Sequence, residues 1–197
     1  MGCNVLKDYW DEQHRQQNKK ALTGSTLDQY CELFGITKKF LKDKKILEVG
    51  VGLGKATREL GTLTDNLDVL DISLVALSNV AGWVARGYDT VKELPLNYYD
   101  VVLSHLVAQH MNDSDLIIQM EHIIKSLVDN GVFYMQWADA YTHNIPVDFI
   151  IEKGGGVLRD IEEMDKLVNY AGGDLKIVTV KGITGAVTWY AGAIRRK

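Results

Sequence analysis

Three glycines at alternate positions, Gly50, Gly52 and Gly54, follow the short apolar run Ile46-Leu47-Glu48-Val49. Glycine reaches backbone angles closed to other residues and lets the main chain approach a ligand that a Cβ would hold off. The spacing therefore predicts a ligand-binding turn after a first strand, since a plain strand-to-helix turn needs about one glycine. A dinucleotide loop of the form G-x-G-x-x-G would need glycine where Lys55 stands. A phosphate loop ending Gly-Lys-Ser/Thr fails at Ala56, which has no hydroxyl for a metal. Glu48 precedes the turn. Its carboxylate would repel a pyrophosphate and suits a ligand with a positive amino group. Asp71, closing the run Leu67-Asp68-Val69-Leu70, can accept hydrogen bonds from both ribose hydroxyls of a nucleoside. A helix cap is the competing role, but Ser73 can cap without help.

A second group follows Tyr99-Asp100-Val101-Val102-Leu103-Ser104, where His105, Gln109 and His110 come just beyond an apolar strand. Ligands of doubly wound sheets bind at such strand ends. The two histidines lie about 140° apart on a helical projection, so they do not read as one pair. Neither spacing nor nearby carboxylates suggest a metal site. If an acceptor must lose a proton, His110 is the first candidate base and His105 the second, because imidazole titrates near neutrality. A hydrogen-bonded structural role is the alternative for each. Trp137 ends a later strand and is placed to line an acceptor pocket with Gln109 and His110, whereas Phe133, Tyr134 and Met135 read as core. His14, Arg15, Lys19 and Lys20 read as a solvated helix face.

The elements that must position these residues alternate. The first 40 residues read as helical, with Ser25 capping a second helix that carries Leu27, Tyr30, Cys31 and Phe34 on one face and ends at Gly35. Strands are expected at 46–49, 67–71, 88–91, 99–104 and 131–137, with helices at 55–60, from Ser73 to about Arg86, from Asp113 and Ser114 through Leu127, and at 160–170. Strands alternating with helices imply a parallel sheet covered on both faces. The last two segments, 176–181 and 186–195, are separated by only a few residues. That gap forbids a helical crossover and requires an antiparallel hairpin. The stretch 138–159, with Pro146 and Gly154-Gly155-Gly156, is placed to shape an acceptor site or to form a surface loop. The fold class is thus α/β, a doubly wound, mostly parallel sheet of about seven strands with a C-terminal antiparallel hairpin, in one domain over 1–197.

Composition narrows the function classes. The chain has 197 residues, is 46% hydrophobic and 24% charged, and carries a net charge of −4. This is globular composition without the basic excess that a phosphate backbone calls for. No apolar run approaches a membrane span, and the start lacks the layout of a signal peptide. Met-Gly-Cys opens like a myristoylation motif, but Leu6 stands where Ser or Thr is required. Cys3 and Cys31 are too few for a disulfide framework or metal centre. A cytoplasmic protein is expected.

The segments Lys45-Ile46-Leu47-Glu48-Val49-Gly50-Val51-Gly52-Leu53-Gly54, Leu70-Asp71-Ile72-Ser73 and Tyr99-Asp100-Val101-Val102-Leu103-Ser104-His105 together resemble the class I S-adenosylmethionine-dependent methyltransferases, over residues 44–197. The resemblance implies S-adenosylmethionine as cofactor and S-adenosylhomocysteine as product. Gly50, Gly52 and Gly54 would approach the methionine moiety, with Glu48 beneath the loop near its amino group and Asp71 on the ribose. Val51, Ile72, Leu94, Ser104 and His105 complete the expected cofactor contacts, and Glu93 is the acid nearest the expected third strand. The family often lays an N-terminal helix over the cofactor, so residues 1–43 would form a helical lid bearing Trp10. Simple anchoring of Trp10 to the sheet is the alternative.

The implied activity is methyl transfer to an oxygen or nitrogen of a small-molecule acceptor. Alignment of the nucleophile then supplies much of the rate, and a base is needed only for a protonated acceptor. Three other readings stand beside it: a non-catalytic cofactor-binding protein, an RNA methyltransferase opposed by the acidic pI of about 5.7, and a nicotinamide-dependent oxidoreductase opposed by the loop spacing.

Overall fold

The apolar run before the glycines forms β1 (Ile46–Val49), buried along its length because sheet neighbours flank it on both sides. β2 (Leu67–Leu70) and β4 (Tyr99–Ser104) pair with it in parallel. β3 (Arg86–Tyr88), β5 (Leu127–Ala140), β6 (Gly173–Gly182) and β7 (Val187–Arg196) complete a seven-stranded sheet in the order β3-β2-β1-β4-β5-β7-β6. β7 alone runs against its neighbours, inserted between β5 and β6. This is the expected Rossmann-like architecture. The computed structural model describes residues 2–20, 25–140, 156–182 and 187–197. The hairpin turn and most of the 138–159 stretch therefore lie outside the described residues.

The helices are α1 (Gly2–Lys20), α2 (Leu27–Phe34), α3 (Lys38–Leu41), α4 (Lys55–Leu60), α5 (Leu74–Val80), α6 (Asp113–Ser126) and α7 (Ile161–Tyr170). Strand alternation sorts the core into two faces. Leu47, Val49, Val102 and Phe133 pack with Met120 and Ile123 of α6 and Met164 of α7. Ile46, Val101, Leu103 and Val132 point the other way, onto Leu27 and Phe34 of α2 and Leu60 of α4. With both faces covered, the strands read as continuous apolar runs.

Five elements differ from expectation at a boundary. Thr26, not Ser25, caps α2, because Thr26 and Gln29 close a reciprocal capping box. α5 stops at Val80 rather than near Arg86. β3 begins at Arg86, whose guanidinium grips the buried Asp68 of β2 at 3.2 and 2.7 Å, and 91–93 is a 3-10 turn instead of strand. β5 exceeds 131–137 because it is paired at both ends, with a register break where Asn130 takes a φ of 68°. β6 begins at Gly173, three residues before Lys176, paired with Arg196.

Candidate active site

Register builds the site. Val49 is level with Leu70 on β2 and Ser104 on β4, and Ser104 is level with Met135 on β5. The next residue of each strand therefore reaches one rim: Gly50, Asp71, His105 and Gln136. The strand order reverses between β1 and β4, which opens a crevice there.

On the β1–β2 side the glycines take left-handed φ values of 77°, 53° and 75°. A Cβ on Gly50 would lie 2.2 Å from Val107 Cγ2, whereas at Gly52 nothing comes within 4 Å. Gly50 is held by packing; Gly52 faces open space. Glu48 is buried beneath this turn. The Tyr30 hydroxyl donates to its Oε1 at 3.0 Å, while Oε2 has no partner among the described residues. Burial is the main reason its carboxyl is pushed up to about 7; the Thr57 and Tyr30 hydroxyls oppose the shift and the charge of Asp71 adds to it. Asp71 is 8% exposed. Its Oδ2 accepts from the Val51 N–H at 3.0 Å and its Oδ1 from the Ser73 N–H at 2.9 Å. Burial raises this carboxyl too, against the pull of Ser73, His14, Gly52 and Val51. Val51 contributes only its main chain to the rim, its side chain packing with Val69, Ala76 and Val80. Ile72 is half-buried beside Asp71, and Leu94 is buried with Leu70 and Tyr88.

On the β4–β5 side, Ser104 Oγ is buried without a partner among the described residues. His105 binds the Ser25 hydroxyl through Nδ1 at 2.6 Å, and its ring lies 5.3 Å from that of Tyr30. Burial lowers its imidazole to about 4, so it is neutral at ordinary pH and a weak base. Leu106 sits at a φ of 60°, a costly angle held by its N–H donating to Gln136 Oε1 at 2.8 Å. The 3-10 turn Ala108–His110 follows and carries His110 and Gln109, whose Oε1 is buried and unpartnered among the described residues. Arg159, 2% exposed, pins that turn: it donates to the Ala108 and Met111 carbonyls at 3.0 and 2.6 Å and to Asp113 at 2.9 Å. Trp137 is fully buried, stacked on Tyr190 with ring centroids 5.6 Å apart, and its indole N–H has no described partner.

Helix α1 spans both sides. Lys7 pairs with Asp89 at 3.2 Å, and the Ser73 hydroxyl donates to Asp11 at 2.5 Å. The Trp10 ring lies 4.9 Å from His110 and 5.9 Å from His14. His14 is 6% exposed, which corrects the solvated face expected for it; Arg15 is exposed as expected. The side chains of Lys19 and Lys20 lie outside the described residues. Because β3 ends at Tyr88, Asp89 is the first acid after it, and Glu93 sits exposed on the 3-10 turn. The structure thus brings Trp10, Glu48, the glycines, Asp71, Ser104, His105, Gln109 and His110 to one crevice. Tyr30, Ser25, His14, Gln136 and Arg159 were missed. The stripe Lys7, Trp10, Asp11, His14 has the i, i+3, i+4, i+7 spacing of a single helical face and was the available signal for His14.

A glycine turn after β1, an acid after β2 and one antiparallel strand inserted between β5 and β6 give this chain the class I S-adenosylmethionine-dependent methyltransferase fold. Among solved structures it is similar to magnesium protoporphyrin IX methyltransferase from Synechocystis, bound to S-adenosylhomocysteine: TM-score 0.71, 11% identity, 98% of this chain and 99% of that one. Phosphoethanolamine N-methyltransferase 2 from Haemonchus contortus, with S-adenosylmethionine, gives a TM-score of 0.67 at 15% identity over 86% of this chain; this chain spans about half of that one, 52%. A methyltransferase from Leishmania major gives 0.60 at 18% identity, over 76% and 63% of the two chains. No family model matches the chain, and no curated protein matches it in sequence. No helix among the described residues is long and apolar enough to cross a membrane.

Proposed function

We propose that the chain is an enzyme that transfers a methyl group from S-adenosylmethionine to an oxygen or nitrogen of a small-molecule acceptor, releasing S-adenosylhomocysteine. The observation that carries this reading is the pair of buried carboxylates, Glu48 and Asp71, at the glycine turn. No lysine or arginine among the described residues pairs with either. Two buried acids raised by burial call for a cation, and a ligand with an ammonium and a sulfonium supplies one. A pyrophosphate would add charge of the wrong sign. The atoms Glu48 Oε2, Ser104 Oγ and Gln109 Oε1, without partners among the described residues, give the crevice polar groups that such a ligand and an acceptor would satisfy.

When bound, S-adenosylmethionine supplies an electrophilic methyl carbon. Glu48 takes the ammonium and Asp71 the ribose hydroxyls, beside the open turn at Gly52. Gln109 orients the acceptor, and His110 is its base wherever the acceptor arrives protonated. His105, neutral and tied to Ser25, serves as a positioning group. Trp10 on α1 covers His110 and excludes water, so residues 1–43 act as a lid on the 44–197 core within one unit. The small-molecule substrates named for the solved neighbours support a small acceptor over nucleic acid, as does the net charge of −4. A cytoplasmic setting accords with the free thiol of Cys31.

Calorimetric titration with S-adenosylmethionine, S-adenosylhomocysteine and NAD in parallel tests the reading. Binding of the first two and not the third is expected; binding of NAD alone overturns it. Methyl transfer across a panel of small oxygen and nitrogen nucleophiles then separates an enzyme from a binding protein.

A further inference from the structure

The polar face of α1 is more specific than a cover needs. Lys7, Trp10, Asp11 and His14 occupy one stripe of a 19-residue helix, and three of them end on defined rim groups: Asp89, His110 and Ser73. Asp11 also accepts from the Val75 N–H at 3.3 Å, so anchoring the helix to α5 is already accounted for. His14 is different. It is buried against the Trp10 ring, one helical turn past Asp11, whose partner Ser73 donates its own N–H to Asp71, and its Nδ1 has no hydrogen-bond partner among the described residues. An apolar residue would anchor the helix there without leaving a polar nitrogen unpaired, and buried polar atoms are seldom left so. Asp71 takes the Val51 N–H on one oxygen and the Ser73 N–H on the other, with the Gly52 N–H nearby, and a carboxylate's four lone pairs still leave room for another donor.

We infer that His14 is a cofactor-binding residue: its Nδ1 takes a hydroxyl of the nucleoside ribose alongside Asp71, so that α1 completes the ribose cradle instead of merely covering it. The inference rests on the S-adenosylmethionine reading above. It assigns the lid a direct contact with the ligand and explains why a polar helix buries an imidazole at the end of β2. The ligand chemistry required is a vicinal diol on a nucleoside, with one hydroxyl shared between a carboxylate and an imidazole.

Titration of S-adenosylhomocysteine and of its 2′,3′-dideoxy analogue into the wild-type protein, His14→Ala, His14→Gln and Asp71→Asn tests this. His14→Ala is expected to weaken S-adenosylhomocysteine about tenfold, the scale of one lost hydrogen bond, and to leave the dideoxy analogue nearly unchanged. His14→Gln should recover part of the loss, because an amide also takes a hydroxyl. The double variant with Asp71→Asn should lose less than the product of the single losses, since both residues hold one sugar. Equal loss with both ligands would assign His14 a purely structural role, and no loss with either would remove it from the site; each overturns the inference. Failure of the wild-type protein to bind S-adenosylhomocysteine at all would instead strike the methyltransferase reading itself.

Discussion

The two sides of the crevice present their chemistry by different means. Between β1 and β2 the rim is largely main chain: the glycine turn, the Val51 and Ser73 N–H groups, and two carboxylates, Glu48 within β1 and Asp71 one residue past β2. Between β4 and β5 it is side chain. Gln109 and His110 hang from a three-residue turn that is steadied from outside by Arg159, Gln136 and the Val157 N–H on the Gln109 carbonyl at 2.6 Å. A main-chain rim inherits its precision from the ladder, so one design serves one ligand. A side-chain rim on a braced turn can change its residues without touching the sheet, which is where the proposed methyl transfer would have its acceptor chosen.

Substituting the brace and the turn should separate the two sides. The largest effect is expected from Gly50→Ala, where a φ of 77° and a Cβ 2.2 Å from Val107 combine; a loss of about 3 kcal/mol in stability and of measurable S-adenosylhomocysteine binding should appear in thermal melts and titration. Gly52→Ala meets only the strained angle, about 1 kcal/mol. Equal effects at the two glycines would show that packing against Val107 is not what holds the loop. Arg159→Met strips donors from the Ala108 and Met111 carbonyls and should lower stability by about 2 kcal/mol. Its S-adenosylhomocysteine affinity should stay within about threefold, as expected for distant sites. A larger affinity loss would erase the distinction between the sides.

A pH series sharpens the electrostatics of the β1–β2 side. Glu48 is raised from its ordinary 4.5 to about 7, so the ligand-free fold holds an extra proton between those values and loses stability as pH rises through them. A cationic ligand favours the carboxylate and expels that proton. Affinity for S-adenosylmethionine should therefore rise about tenfold from pH 6 to pH 8, and Glu48→Gln should flatten the profile. The smallest effect is expected at Lys7→Ala. The Lys7–Asp89 pair is partly exposed, so its loss should cost under about 1 kcal/mol in a melt and leave S-adenosylhomocysteine affinity within about twofold.

Much of the β1–β2 side was legible in the chain. Gly50, Gly52, Gly54, Glu48 and Asp71 are separated by short runs, and their spacing along two strands already sets their height at the rim. The other side was legible only as candidates. His105 and His110 looked alike in sequence, yet one is driven to about 4 by burial against Tyr30 and Ser25 while the other meets the Trp10 ring edge-on. Trp137 shows the same limit: its place at the end of a strand suggested a pocket, and packing against Gly192 and Tyr190 buries it completely.

Local pattern by itself determined the strand–helix alternation, the terminal hairpin and the glycine turn, because period, capping and left-handed backbone angles act over a few neighbouring residues. The pairing of β7 between β5 and β6, the brace supplied by Arg159 and the docking of α1 through Asp11 on Ser73, which buries His14, were decided only by tertiary structure. Those contacts join residues 46 to 62 positions apart, or whole strands, and their energies depend on desolvation and on partners that no local window contains.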